Sequence, residues 1–179
     1  KRMPYPARPT EGAASKQVMA GAEAGEHDRA QGLALRLLGQ REHGRAELQA
    51  KLTAKGCPAA VAAEVLEALQ ENGAQSDERF AAALARRRVE RGYGPLYIRA
   101  ELKDRQVDEG LAEDALNQPP AYWSEVAARA LAKKFPNRDD SGTGTPAKGA
   151  SYAAQARFLS RRGFPSELIY RLLESRDLL

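Results

Sequence analysis

The stretch Leu52-Thr53-Ala54-Lys55-Gly56-Cys57-Pro58-Ala59-Ala60-Val61, followed by Val65-Leu66, occurs in three versions along this chain. A shift of 50 residues aligns it with a second version, in which the matching positions are Leu102, Arg105, Gln106, Val107, Asp108, Leu111, Ala115 and Leu116. A further shift of 57 residues aligns it with a third, at Leu159, Arg162, Gly163, Phe164, Pro165, Leu168, Leu172 and Leu173. Because recurrence of one pattern indicates a repeated structural unit, three copies of one unit are predicted.

Each unit is predicted to contain three amphipathic helices, because its apolar residues recur at spacings of three and four. The first helices carry Ala34, Leu37 and Leu38, then Phe80, Ala83 and Leu84, then Ala127, Ala130 and Leu131. The second helices of the first two units carry Leu48 and Leu52, and Ile98 and Leu102. In the third unit Gln155 occupies the position of Leu48 and Ile98, so this helix is expected to pack through Ala154, Phe158 and Leu159.

The composition favours helices over strands. Hydrophobic residues make up 42% of the 179 residues but aromatic residues only 6%, so the cores must consist mainly of Leu, Ala and Val. A unit of about 50 residues buries little surface alone and gains stability by stacking on its neighbours. We therefore expect an all-α protein of three tandem three-helix repeats in an elongated, curved row, with repeats at 29–74, 75–120 and 121–179.

Two segments are expected to lie outside the helices. Residues 1–28 contain scattered proline, glycine and charge without apolar periodicity, which predicts a flexible N-terminal tail. Residues 136–149 are rich in turn-forming residues and predict a long loop within the third repeat.

Several functional classes are disfavoured. Cys57 is the only cysteine, which excludes an internal disulfide, and no apolar run is long enough for a membrane span, so we expect a cytoplasmic protein. His27 and His43 lack further ligands at metal-binding spacing, and Cys57 aligns with Val107 and Phe164, which favours packing over reactivity. We expect neither a metal site nor a cofactor nor catalytic activity, and a monomer by default.

Positive charge is concentrated in one segment of the chain. The whole chain has a formal net charge of +4 and a pI of about 9.3, which permits a polyanionic partner. Residues 86–105 alone contain seven basic and three acidic side chains, again a difference of +4. The basic side chains are Arg86, Arg87, Arg88, Arg91, Arg99, Lys103 and Arg105. They are either a solvated surface favoured by helix dipoles or contacts to an acidic or polyanionic partner.

Basic residues also recur at equivalent places in the repeats. Arg41 and Lys134 follow the first helices of their repeats, and each second helix ends at Lys55, Arg105 or Arg162. Tyr93 adds aromatic surface that either packs internally or contacts a partner. We include these residues among the candidate partner contacts.

Three groups of residues resemble the RecX family. The central group is Ser76-Asp77-Glu78-Arg79-Phe80-Ala81 with Arg91-Gly92-Tyr93-Gly94-Pro95 and Ile98-Arg99-Ala100-Glu101-Leu102. Residues 41–56 resemble the first repeat of that family, and Arg157-Phe158-Leu159 with Arg161-Arg162-Gly163-Phe164 resembles the third. The resemblance covers roughly residues 31–176. The chain departs from the family pattern in two places: it has Ala74-Gln75-Ser76 where family members usually carry apolar residues just before the Asp of the central group, and Gly110 lies inside a predicted helix.

The resemblance implies a bacterial regulator that binds the RecA recombinase. Such a protein would lie along the groove of the RecA filament on DNA, limit its extension, and inhibit ATP hydrolysis, strand exchange and co-protease activity. The residues by themselves leave two alternatives open. One is a nonspecific DNA-binding helical module, and the other is a helical-repeat adaptor for another protein.

Overall fold

The computed structural model describes residues 11–136 and 151–177, with side chains described for 24–136 and 151–174. These residues form helices and contain no strand, which confirms the all-α prediction. The helices are α1 (Glu11–Leu38), α2 (Arg45–Ala54), α3 (Ala59–Glu71), α4 (Asp77–Glu90), α5 (Pro95–Asp104), α6 (Glu109–Leu116), α7 (Pro120–Lys134), α8 (Tyr152–Arg161) and α9 (Ser166–Asp177). None of the helices within these ranges combines the length and apolar character that crossing a bilayer requires.

The helices pack in consecutive groups of three. Within each of the groups α1–α3, α4–α6 and α7–α9, every helix contacts the other two. The second helices α2, α5 and α8 each contain 10 residues and begin at positions separated by 50 and 57 residues, as the sequence alignment predicts. The register assigned to the third copy is therefore correct.

Each second helix ends in the same backbone turn. Gly56, Gln106 and Gly163 have φ values of 82°, 59° and 79°, and these left-handed residues also follow the 50 and 57 spacing. The next amide, of Cys57, Val107 or Phe164, donates to the carbonyl of the buried leucine five residues earlier at 3.1 Å. All three of these residues are buried, so the packing role expected for Cys57 is observed.

The described residues divide into two compact units, with the boundary between Ser76 and Asp77. The core of the first unit is formed by α1–α3 and includes Ala34, Leu48, Leu52, Leu66 and Leu69. The core of the second unit is continuous through α4–α9 and includes Phe80, Leu102, Trp123, Leu131, Leu159 and Phe164. The second and third groups of helices therefore share one core, and the expectation of an elongated, curved row stays a prediction.

The first helix begins earlier in the chain than the sequence predicts. Residues 11–28, expected in the flexible tail, are helical and belong to α1. This segment is rich in alanine, the residue with the highest helix propensity, which offsets the cost of its glycines. The loop expected at 136–149 lies, apart from Pro136, outside the described residues.

A polar pair explains why Gln75 is accommodated in the first unit. Both His43 and Gln75 are 1% exposed, and Gln75 Nε2 donates to the His43 carbonyl at 3.2 Å. His43 Nδ1 lies 3.0 Å from the Arg41 carbonyl, and Nε2 lies 3.0 Å from Lys51 Nζ. A neutral ring that donates from Nδ1 and accepts at Nε2 satisfies both contacts.

The start of α5 meets the end of α8 at a backbone-to-backbone contact. The Gly94 amide donates to the Arg162 carbonyl at 2.7 Å, and the Leu96 amide donates to the Gly163 carbonyl at 3.0 Å. A Cβ atom on Gly94 would lie 2.5 Å from the Gly163 carbonyl oxygen, closer than any real contact. Glycine is therefore required at position 94, because the backbone segments at the start of α5 and the end of α8 approach each other so closely. This contact joins the second and third groups of helices.

We predict that Leu102→Ala lowers the free energy of unfolding by about 2–5 kcal/mol, because it leaves a cavity at a side chain that is 0% exposed. Leu96→Ala, at a residue 54% exposed, is the control and should change stability by less than about 0.5 kcal/mol. Urea denaturation measures both. An unchanged transition for Leu102→Ala would contradict its assignment to the core.

We predict that Gly94→Ala destabilises the second unit, because Gly163 backbone atoms block the added methyl group. The expected loss is at least about 1 kcal/mol, as for other overpacked sites. Gly32→Ala in α1 is the matched control, since a Cβ there meets nothing within 4 Å and alanine favours helix. Thermal melts should shift in opposite directions, and a neutral Gly94→Ala would show that the contact is loose.

Candidate functional site

A cationic groove lies in the second unit, between the end of α4, α7 and α8. Its volume is about 570 Å³. The charged side chains that line it are Glu90, Arg91, Arg129, Lys133, Lys134 and Arg162. Five cations against one carboxylate give this surface a net charge of +4.

The helices position these cations in a simple way. Arg129 and Lys133 are four residues apart on α7 and therefore lie on one face of that helix. Val126 and Ala130, on the same helix, are buried and join Phe158 in the apolar part of the lining. The groove thus has an apolar base with charges above it, a surface suited to an anionic ligand with apolar parts.

Three of the candidate residues from the sequence are brought together here: Arg91, Lys134 and Arg162. Sequence analysis missed Arg129 and Lys133, because it followed repeat-equivalent positions and basic runs. The signal was available in the sequence. Two cations four residues apart, interleaved with the apolar face of a helix, predict a charged edge beside a core.

Arg88 and Arg105 are held by a shared carboxylate. Arg88 Nη2 donates to Glu101 Oε1 at 2.6 Å, and Arg105 Nη2 donates to the same oxygen at 2.9 Å. The hydrogen bond from Arg88, opposed by burial, holds the pKa of Glu101 below its usual value, and the bond from Arg105 lowers it further. The same hydrogen bond raises the pKa of Arg88. This cluster joins α4 to α5.

Tyr93 is also engaged within the protein. Its ring stacks on Tyr97 with centroids 4.2 Å apart, and the Arg162 guanidinium lies over the Tyr93 ring at 4.5 Å. Arg162 Nη1 also donates to the Arg91 carbonyl at 2.5 Å. Arg162 therefore stabilises the contact between the start of α5 and the end of α8, and it also lines the groove.

In the first unit, Arg41 belongs to a second ionic cluster. Arg41 forms a bidentate pair with Glu47, whose Oε1 also accepts from Lys51 at 2.9 Å. Burial raises the pKa of Glu47, but the hydrogen bonds from Arg41 and Lys51 outweigh it and lower the pKa to about 2. Burial also lowers the pKa of His43, beside this cluster. Lys55, the residue that follows α2, is exposed.

The other candidate residues lie on the surface of the second unit. Arg86, Arg87, Arg99 and Lys103 are exposed. Arg99 Nη1 is 3.5 Å from Glu113 Oε1, and at such exposure an ion pair contributes little. The candidate cations thus divide into those held in internal clusters and those open to solvent.

The arrangement supports binding of anions. No group of three or more His, Cys, Asp or Glu side chains suited to a metal ion occurs among the described residues. Arginine and lysine side chains in the groove can donate hydrogen bonds to carboxylate or phosphate oxygens. The charge and shape of the groove are those of a binding surface for a polyanion or an acidic protein surface.

Two segments of the chain match sequence profiles of known domains. Residues 30–69 match the profile described as "RecX, first three-helix domain", and residues 76–116 match "RecX, second three-helix domain". These segments coincide with the first two groups of helices.

Full-length comparisons agree with these matches. The chain is 38% identical over 145 residues to "Regulatory protein RecX" of Pseudomonas entomophila (strain L48), covering 81% of this chain and 90% of that protein. It is 40% identical over 136 residues to "Regulatory protein RecX" of Halorhodospira halophila (strain DSM 244 / SL1), covering 76% and 81%. The crystal structure of RecX from Lactobacillus salivarius has a similar fold, with a TM-score of 0.72, 23% identity, and coverage of 87% and 99%.

We predict that Glu101→Gln lowers the free energy of unfolding at neutral pH. The difference in this free energy between the variant and the parent should become smaller in acid. The pKa of Glu101 is lowered from 4.5 in the folded state, so the unfolded state binds more protons below that pH. The carboxylate therefore stabilises the fold fully above pH 4.5, and this stabilisation is lost as the pH falls through the folded-state pKa. Urea denaturation of the parent and the variant, from pH 7 down to the lowest pH at which both are folded, measures the difference in their free energies of unfolding.

The control for this prediction is Glu113→Gln, at a carboxylate whose side chain is 59% exposed. Its stability should follow that of the parent at every pH. A difference between Glu101→Gln and the parent that stays constant across the acid range would contradict the lowered pKa.

Proposed function

The chain belongs to the RecX family of regulatory proteins, and on this basis we propose that it is a negative regulator of the RecA recombinase in the bacterial cytoplasm. It binds the RecA filament on DNA and limits its extension. As a result it inhibits ATP hydrolysis, strand exchange and co-protease activity. The structural observation that supports this proposal is the groove of net charge +4 in the second unit.

In the proposed mechanism the groove contacts acidic RecA side chains or the DNA phosphates of the filament. Arg91, Lys134 and Arg162 are the candidate contacts from the sequence, and Arg129 and Lys133 are added from the structure. Each exposed ion pair contributes only about 0.2–1 kcal/mol, so several are needed together. Their connection through one rigid core allows modest contacts to combine in a single binding event.

The remaining candidate residues have different proposed parts. Arg86, Arg87, Arg99, Lys103 and Lys55 are exposed and extend the contact surface. Arg88, Arg105, Tyr93 and Arg41 take part in internal clusters. Their proposed contribution is to fix the positions of the helices that carry the exposed cations. Any contact that they make with the filament uses side-chain atoms that are not engaged in the internal clusters.

This action requires binding and no catalysis. A protein seated on successive RecA subunits obstructs the addition of the next subunit without a chemical step of its own. The proposal therefore includes a monomer without a cofactor, with RecA as the main partner and DNA bound weakly or indirectly.

Nonspecific DNA binding by the groove is the second candidate function. The observation that favours it is the same net charge, since guanidinium and ammonium groups donate hydrogen bonds to DNA phosphates as well as to carboxylates. If four or five groove cations met phosphates, the logarithm of the DNA affinity would fall with the logarithm of salt with a slope of about −4. Helical-repeat binding to a protein other than RecA is the remaining alternative.

The test is the rate of ATP hydrolysis by RecA on single-stranded DNA as this protein is added, with an unrelated protein of similar pI as control. We expect inhibition at fewer molecules than RecA protomers, because a filament blocked at one point cannot extend beyond it. Inhibition no greater than that of the control would contradict the proposed regulation of RecA.

The groove is tested in the same assay by Arg91→Glu combined with Lys133→Glu. Reversing two of five groove cations should raise the concentration for half-inhibition about fivefold or more. The matched control is Arg36→Glu with Arg171→Glu, which changes the net charge equally at exposed residues outside the groove. Equal loss of inhibition by both double variants would assign the effect to total charge, and no loss by either would exclude the groove.

A further inference from the structure

A second concave surface lies on the other side of α8, between α8 and α9. Its volume is about 410 Å³. The residues that line it are Tyr152, Ala156, Arg157, Ser160, Arg161, Phe164, Ser166, Ile169 and Tyr170. Phe164 and Ile169 are buried in the core of the second unit, so the bottom of this pocket is apolar.

Two tyrosines form the aromatic part of the pocket. Tyr170 is 58% exposed and Tyr152 39% exposed, and their ring centroids are 6.4 Å apart at an interplanar angle of 43°. Tyr93 and Tyr97, in contrast, are stacked at 4.2 Å beside Arg162. The rings of Tyr152 and Tyr170 are therefore farther apart than those of the stacked pair, and more than half of Tyr170 is exposed at the pocket.

Two arginines on α8 border the same pocket. Arg157 and Arg161 are four residues apart and exposed on one face, whereas Phe158 and Arg162 point to the cationic groove on the neighbouring face. Within the part of the chain that the structure describes, neither Arg157 nor Arg161 forms an ion pair. The residues lining the pocket include no acidic side chain.

We propose that this pocket binds a nucleotide of single-stranded nucleic acid. A base stacks on Tyr170 and Tyr152 over the apolar bottom, and the adjoining phosphates contact Arg157 and Arg161. Proteins that bind single strands without sequence preference combine aromatic stacking surfaces with a cationic path for the backbone, and this pocket contains both. The site is separate from the groove and does not depend on the proposed action on RecA.

The chemistry of the lining favours a nucleotide over an apolar side chain of a protein partner. An apolar anchor would use the aromatic rings and the bottom of the pocket but would leave two guanidinium groups at its edge without anions. A nucleotide supplies a flat aromatic ring and a negative charge within one residue. The hydroxyl groups of Ser160 and Ser166 can donate to or accept from base edges and sugar oxygens without selecting one base.

The test measures binding of a fluorescently labelled oligothymidylate of about 16 nucleotides to the full chain by anisotropy, without RecA. We expect Tyr170→Ala to weaken binding about fivefold or more, and Tyr170→Phe to stay within about twofold of the parent, because it keeps the ring. Leu96→Ala, which removes an equally exposed apolar side chain outside the pocket, is the control and should bind like the parent.

Inorganic polyphosphate, used as an unlabelled competitor, separates stacking from charge. Arg157→Ala with Arg161→Ala should weaken both oligothymidylate and polyphosphate. Tyr170→Ala should weaken only the oligothymidylate, because polyphosphate has no base. The comparison is repeated in a chain that carries Arg91→Glu and Lys133→Glu, which remove most binding by the groove. In this chain too, Tyr170→Ala should weaken binding of the oligothymidylate.

Three outcomes would overturn the proposal. The first is equal binding of oligothymidylate by the parent and Tyr170→Ala, which would leave the pocket to an apolar side chain of a protein partner. The second is a Tyr170→Ala variant whose affinities for oligothymidylate and polyphosphate fall equally, which would show that Tyr170 acts through the surrounding structure. The third is absence of measurable binding by the parent. Loss of RecA inhibition in the groove variant with the Tyr170 effect retained would show that the two sites act independently.

Discussion

The contact between Gly94 and Gly163 is the constraint on which the second unit depends. Two amides at the start of α5 donate to two carbonyls at the end of α8, and this requires the backbones to approach without a side chain between them. The contact sets α7–α9 against α4–α6, so that Phe80 and Leu102 share one core with Leu131 and Leu159. Neither group of three short helices buries as much surface alone.

Charge in this unit divides into a structural part and an available part. Glu101 binds Arg88 and Arg105 and thereby holds two of the seven cations of residues 86–105 in an internal cluster. Further cations are available on α7, where Arg129, Lys133 and Lys134 line a groove whose lining contains one carboxylate, that of Glu90. The proposed contact surface therefore extends from the most basic stretch of the sequence to the cations of α7 and α8, which lie next to it in space.

Helix α8 separates two surfaces of different chemistry. Phe158 and Arg162 face the groove, and Arg157 and Arg161 border the aromatic pocket. One short helix can serve both because residues four apart share a face and the adjacent pair is rotated by about 100°. If both proposals hold, a filament of protein and single-stranded nucleic acid would be contacted on both sides of this helix.

The sequence by itself determined the helical class and the positions of the second helices, because apolar spacing and the turn after each second helix depend on local geometry. It also identified the family through Arg91-Gly92-Tyr93-Gly94-Pro95 and its neighbours. Only the tertiary structure decided which cations are available. In the sequence, Arg88 and Lys134 are both basic residues in the last turn of a helix. In the structure, Arg88 of α4 binds Glu101 of α5, whereas Lys134 lines the groove. Such pairing depends on residues distant in sequence, which periodicity cannot locate.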